Sequence, residues 1–119
     1  MGKYFFDSYA LVELIKINPS YIKYSEEIIT ITLFNLIELY YAVLRDFNET
    51  KAKAIFYRFK ECIKEIDDEI IFEAIHLKLK NKNLSYADCI GYVYSLKNRL
   101  VFLTGDKEFK DMENVEFVK

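Results

Sequence analysis

Short apolar runs that stop at an acid stand near both ends of this sequence, "YFFD" at residues 4–7 and "LVFLTGD" at residues 100–106. Between them the apolar residues repeat mainly at spacings of three and four. Residues 10, 11, 14, 15 and 17 form one helical face. It ends near Asn18, because a residue before proline is pushed out of helical geometry. "FNLIELYYAVLRDF" is too long and too continuously apolar for a strand, so it reads as a mostly buried helix. Residues 49–64 have the pattern of an amphipathic helix with lysines on its far side. "EIDDEIIFEAIHLKLKNKN" opens on an Asp pair suited to a helix N-terminus, and Ser85 opens a further helix. Strand-like stretches besides the two ends are the β-branched "EIITITL" at residues 27–33 and a short closing "NVEFV". Strands spaced by helices specify an α/β domain with a mainly parallel sheet.

Length and composition fit one domain spanning residues 1–119, with three Gly and one Pro leaving little room for linkers. No window reaches the roughly 18 uninterrupted apolar residues of a membrane span. The N-terminal apolar run carries an acid and no small-residue cleavage site, so no signal peptide and no membrane association are expected. A cytoplasmic protein follows. Cys62 and Cys89 lack a CxxC pattern, and His76 is the single histidine. A zinc site needs more soft ligands than these. A net charge of −2 argues against a general nucleic-acid coat. It leaves room for a nuclease, whose clustered acids a bound metal ion would locally reverse.

Four acids stand where chemistry could use them. Asp7 and Asp106 follow strands, and ligand sites in parallel sheets lie beyond the carboxyl ends of the strands. Helix or turn capping accounts for either one taken singly. Glu38 sits among Leu36, Ile37, Leu39, Tyr40 and Tyr41, on a helical face shared with Asn35, Ala42 and Arg45. That face is either a solvated stripe or the wall of a polar cleft. Asp88 lies three residues after Ser85, in capping-box spacing. Gathered in one place, four carboxylates would repel by about 4 kcal/mol per pair at ~4 Å and an effective dielectric of ~20. Mg²⁺ or Mn²⁺, which prefers hard oxygen ligands, would relieve that repulsion.

These segments together resemble the PIN-domain nucleases, and among them the small toxins of VapBC type. "YFFDSYALVELI" is similar to the family's opening strand, metal-binding Asp and following helix. "LFNLIELYYAVL" is similar to its Glu-bearing helix, and "LSYADCIGYVYSLKNRLVFLTGDKEF" to its Asp-bearing helix, strand and Thr-x-Asp-x-x-Phe turn. The resemblance implies a three-layer α/β/α sandwich, commonly dimeric. It implies Asp7, Glu38, Asp88 and Asp106 as catalytic and metal-binding residues, with Ser8 and Thr104 supporting them. The activity implied is that of an endoribonuclease dependent on Mg²⁺ or Mn²⁺. The implied partners are an RNA substrate, a small antitoxin protein and a second copy of the chain. Glu108 adds an acid where relatives often have Asp. Arg45, Lys107 and Lys110 are candidates for phosphate contacts, against their reading as ordinary solvated surface cations. The alternative function is a catalytically silent module that binds RNA or protein. A phosphotransfer receiver domain would need paired acids after the first strand, and "FFDSYA" lacks that pair.

Overall fold

The structure, a computed structural model, describes residues 2–119. Three strands, β1 (Tyr4–Phe6), β2 (Val101–Thr104) and β3 (Val115–Phe117), form a parallel sheet in the order β1-β2-β3. The register pairs Tyr4 with Val101, Phe5 with Phe102 and Phe6 with Leu103. Phe102 in turn pairs with Val115 and Thr104 with Phe117. Five helices fill the rest: α1 (Ser8–Ile15), α2 (Leu33–Asp46), α3 (Glu49–Lys60), α4 (Asp68–Lys80) and α5 (Tyr86–Lys97).

Successive strand side chains point to opposite faces, and this alternation divides the core in two. Tyr4, Phe6 and Leu103 pack with Leu11, Leu36, Leu39 and Phe59 from α1, α2 and α3. Phe5 and Phe102 pack with Ala74, Ile90 and Val93 from α4 and α5. The result is the three-layer α/β/α arrangement. Phe5, Phe6, Phe102 and Leu103 are all fully buried, each burial stabilising by about 1.5–3 kcal/mol. Gly91 lets α5 lie close against the stacked rings of Phe5 and Phe102, where a Cβ would collide with both. Burial on nearly all sides from Ala87 to Ser95 explains why α5 shows no polar face.

Local signals place the ends of the helices. Asn48 and Asp67 accept hydrogen bonds from Lys51 N–H (2.8 Å) and Ile70 N–H (3.0 Å) as side-chain caps. α1 stops at Ile15, earlier than the proline requires, because Ile17 takes φ 58°. The expected strand in "EIITITL" does not form as a member of the sheet. Phe6 N–H donates to Thr30 O (3.0 Å), and Ile31 makes an isolated parallel bridge to Ile63. Thr32 then N-caps α2 in a capping box with Asn35. The segment is extended but has no length left for a ladder.

Candidate active site

β1 and β2 both end at their carboxyl edge on polar residues, and the helices that follow bring two more acids to the same place. Asp7, Glu38, Asp88 and Asp106 line one cavity of about 520 Å³. Thr104 joins the two strand ends. Its hydroxyl donates to Asp7 Oδ2 (2.7 Å) and accepts the N–H of Asp106 (3.0 Å). Ser8, at the first residue of α1, donates to Glu38 Oε1 (2.7 Å) and accepts from Asn35 Nδ2 (3.3 Å). Asn35 is fully buried and is fixed in turn by Thr32, whose N–H and hydroxyl both donate to its Oδ1.

Capping explains part of this cluster and fails for one member. Asp88 and Ser85 form a complete capping box: Ser85 N–H donates to Asp88 Oδ2 (2.8 Å) and Asp88 N–H to Ser85 Oγ (3.0 Å). Asp106 Oδ1 accepts Glu108 N–H (3.0 Å) at the start of a 3-10 turn, Lys107–Phe109. Asp7 precedes α1 in extended geometry, yet its side chain makes no cap bond. Each of the four carboxylates is anchored by at least one hydrogen bond from the protein. For Asp7 one oxygen, Oδ1, is nevertheless buried without any partner, where an unmet acceptor costs about 1–3 kcal/mol.

The electrostatics are correspondingly strained. Burial, and next the charge of Asp88, hold the Asp7 carboxyl well above the usual range despite the Thr104 hydrogen bond. Asp88 is pushed up to about 6, first by burial and then by the charges of Glu38 and Asp106, against the pull of Ser85. Among the described residues no group of three His, Cys, Asp or Glu side chains is preassembled to hold a metal ion. A cation here would have to keep some of its own waters, as Mg²⁺ commonly does.

The sequence matches the PIN domain family over residues 4–115, nearly its whole length. The chain belongs to the PIN-domain family. No protein of curated function matches it significantly. Several solved structures share the PIN fold. A toxin–antitoxin complex from Klebsiella pneumoniae is 20% identical with a TM-score of 0.72, the match covering 95% of each chain. VapBC2 from Rickettsia felis, bound to a DNA fragment from its promoter, is 17% identical with a TM-score of 0.69, covering 97% of this chain and 96% of that one. VapBC-1 from nontypeable Haemophilus influenzae is 15% identical with a TM-score of 0.68, covering 98% and 96%.

Within this PIN domain the cavity gathers Asp7, Ser8, Glu38, Asp88 and Asp106, with Thr104 directly beneath. Ala42 lines it as well, so the polar face of α2 is a cleft wall rather than a solvated stripe. Arg45 lies outside: its guanidinium forks onto its neighbour Asp46 (2.8 and 3.0 Å). Lys107 and Lys110 are exposed and do not line the cavity. Residues the sequence reading passed over are Tyr9, Val12, Glu13 and Lys16 on the cleft side of α1. Their spacing of three, four and seven behind Tyr9, directly after Asp7, was the available signal. Lys16 supplies the one cation on the lining, beside an additional acid, Glu13. Gly105 has no positive φ, and what requires a glycine there is steric. A Cβ there would overlap the Tyr9 ring and the Val118 carbonyl.

Proposed function

We propose that this PIN domain is a divalent-metal-dependent endoribonuclease and the toxin of a toxin–antitoxin pair. The observation that carries the reading is the set of four carboxylates around one cavity, one of which, Asp7, keeps a buried, unpartnered Oδ1. Hard oxygen donors, of which Asp7 and Asp88 hold their protons more tightly than usual, are what Mg²⁺ or Mn²⁺ would complete. The residues fit such an ion, which Asp7, Glu38, Asp88 and Asp106 would hold. When bound, it would supply charge neutralisation for the phosphate and an acidified water.

The chain's own residues have simpler tasks. Thr104 and Ser8 lock the carboxylates of Asp7 and Glu38 in orientation. The capping bonds on Asp88 and Asp106 tie theirs to rigid backbone. The proposed hydrolysis would use water as the nucleophile, leaving a 5′-phosphate and a 3′-hydroxyl, and it calls for no histidine, of which the cavity lining has none. The toxin assignment draws on the structural neighbours, two of which are VapBC proteins. Two exposed apolar stripes support protein partners, a small antitoxin and a second copy of the chain. One is Leu33, Ile37, Tyr41 and Leu44 on α2, the other Ile71, Phe72, Ile75 and Leu79 on α4. Among the described residues no helix is long and apolar enough to cross a membrane.

The second reading, a silent module that docks RNA or protein, has in its favour that no metal cage is preassembled. Incubation of purified protein with total RNA in Mg²⁺, Mn²⁺ or EDTA tests the first. Metal-dependent fragments with 5′-phosphates are expected. Intact RNA, with no heat on Mn²⁺ titration in a calorimeter, would favour the silent module.

A further inference from the structure

Beyond the Ser85–Asp88 wall of the cleft lies a second pocket, of about 360 Å³, that no catalytic role uses. The loop after α4 forms it, with Lys80, Asn81, Lys82, Asn83 and Leu84 on one side and Glu108 on the other. It adjoins the cleft through the chain itself, since Leu84 precedes Ser85 and Glu108 lies two residues past Asp106.

The loop is held in shape before any ligand arrives. Leu84 N–H donates to Asn81 O (3.0 Å), and Asn81 Nδ2 donates to Leu77 O (3.1 Å). Lys78 Nζ clamps the loop by donating to Leu84 O (2.6 Å) and Lys82 O (3.3 Å). Its charge is thereby committed to carbonyls. Among the described residues Lys80 and Lys82 have no ion-pair partner, and the Asn83 side-chain amide has no hydrogen-bond partner. In a chain of net charge −2 this is a local basic site with free amide donors and acceptors.

We infer that this pocket is a subsite for one nucleotide of single-stranded RNA, next to the nucleotide whose phosphate is cut. The inference rests on the ribonuclease reading above. Lys80 and Lys82 would take the backbone phosphate, at the rim away from the Glu108 carboxylate, which repels it. That orientation turns the base edge toward Asn83 and Glu108. A carboxylate accepts hydrogen bonds, and an exocyclic amino group offers two N–H donors where uracil offers only its single N3–H, so the subsite favours an amino-bearing base over uracil.

The test uses the full chain and a fluorescein-labelled, random-sequence oligoribonucleotide pool. Anisotropy in EDTA should show Lys80→Gln/Lys82→Gln binding roughly tenfold more weakly than wild type. The slope of log affinity against log salt should be shallower by about 0.7, the contribution of the one single-strand phosphate that the two lysines share. Sequencing of the ends produced in Mn²⁺ should show an amino-bearing base preferred at one flanking position. Glu108→Gln and Asn83→Ala should flatten that preference. Melting curves matching wild type would show that the variants fold. Cleavage by wild type with unchanged affinity and slope in the double variant would overturn the subsite and leave the ribonuclease standing. Lysine-dependent binding without cleavage by wild type would keep the pocket as an RNA contact but overturn its place beside a cut phosphate, together with the catalytic reading. Loss of a protein partner's affinity with RNA binding intact would make the pocket a protein contact and overturn the inference.

Discussion

Replacing Asp88 by Asn tests the strained-carboxylate reasoning at the residue where a magnitude can be worked. Asp88 is only 8% exposed, and its pKa moves from 3.8 to about 6 in the folded chain. A folded-state pKa raised in this way favours the protonated form. The stability it lends is fully present below the unfolded value of 3.8 and is lost as pH rises through about 6. A shift of about two units at ~1.4 kcal/mol each makes ionisation at neutral pH cost roughly 3 kcal/mol. Asn removes that charge while its carbonyl still accepts Ser85 N–H, so the capping box survives. Metal-free Asp88→Asn should therefore exceed wild type by about 2–3 kcal/mol near pH 7.5 and by almost nothing near pH 4. For a chain this size that gain is roughly 8–12 °C in Tm. Thermal melts followed by circular dichroism in EDTA at the two pH values measure it. Saturating Mg²⁺ should reverse the order, since ligand at about a hundredfold excess over Kd stabilises by ~2.7 kcal/mol and the variant has lost a binding oxygen. If Asp88→Asn melts about equally far below wild type at both pH values, Asp88 is a helix cap and the electrostatic account is wrong.

Asp7→Asn should reduce RNA cleavage by about 10³-fold or more, the scale of a single charge-stabilising group. It should also abolish the heat of Mn²⁺ binding, while far-UV circular dichroism stays unchanged. Thr104→Val keeps the shape but strands Asp7 Oδ2 and the Asp106 N–H. A loss of about 1–3 kcal/mol in urea unfolding is expected, mainly from the unmet buried carboxylate oxygen, and a neutral result would deny Thr104 its joining role. Gly105→Ala pushes a methyl into the Tyr9 ring and the Val118 carbonyl. It should cost about 1–3 kcal/mol as overpacking and lower activity through displacement of Tyr9. An alanine variant as stable as wild type would show that the close approach is not needed.

The sequence by itself determined those features that depend on neighbours along the chain. Capping at Asp67 and the Ser85–Asp88 box were legible because the partners lie three residues apart. The helices of 49–60 and 68–80 were legible because a repeat of three and four is a local property of the chain. So was the placing of Asp7 and Asp106 at strand ends, and with it the candidate acid set. What required partners distant in sequence stayed hidden. β-branched content in "EIITITL" reports an extended backbone, whereas a strand also needs an edge to pair with, and here Thr32 begins α2 first. Arg45 sits on the same helical projection as Glu38, but projection ignores the Asp46 carboxylate that captures its guanidinium. Lys16 and Glu13 enter the cleft only because α1 packs against α2, two charges among many until the fold sets them on the same cavity lining as Glu38. The resemblance implied Thr104 as a support for the acids, but the particular contact of its hydroxyl with Asp7, across 97 positions of chain, was not legible. The strand register decided that contact, because parallel pairing of Phe6 with Leu103 sets the next residues, Asp7 and Thr104, side by side.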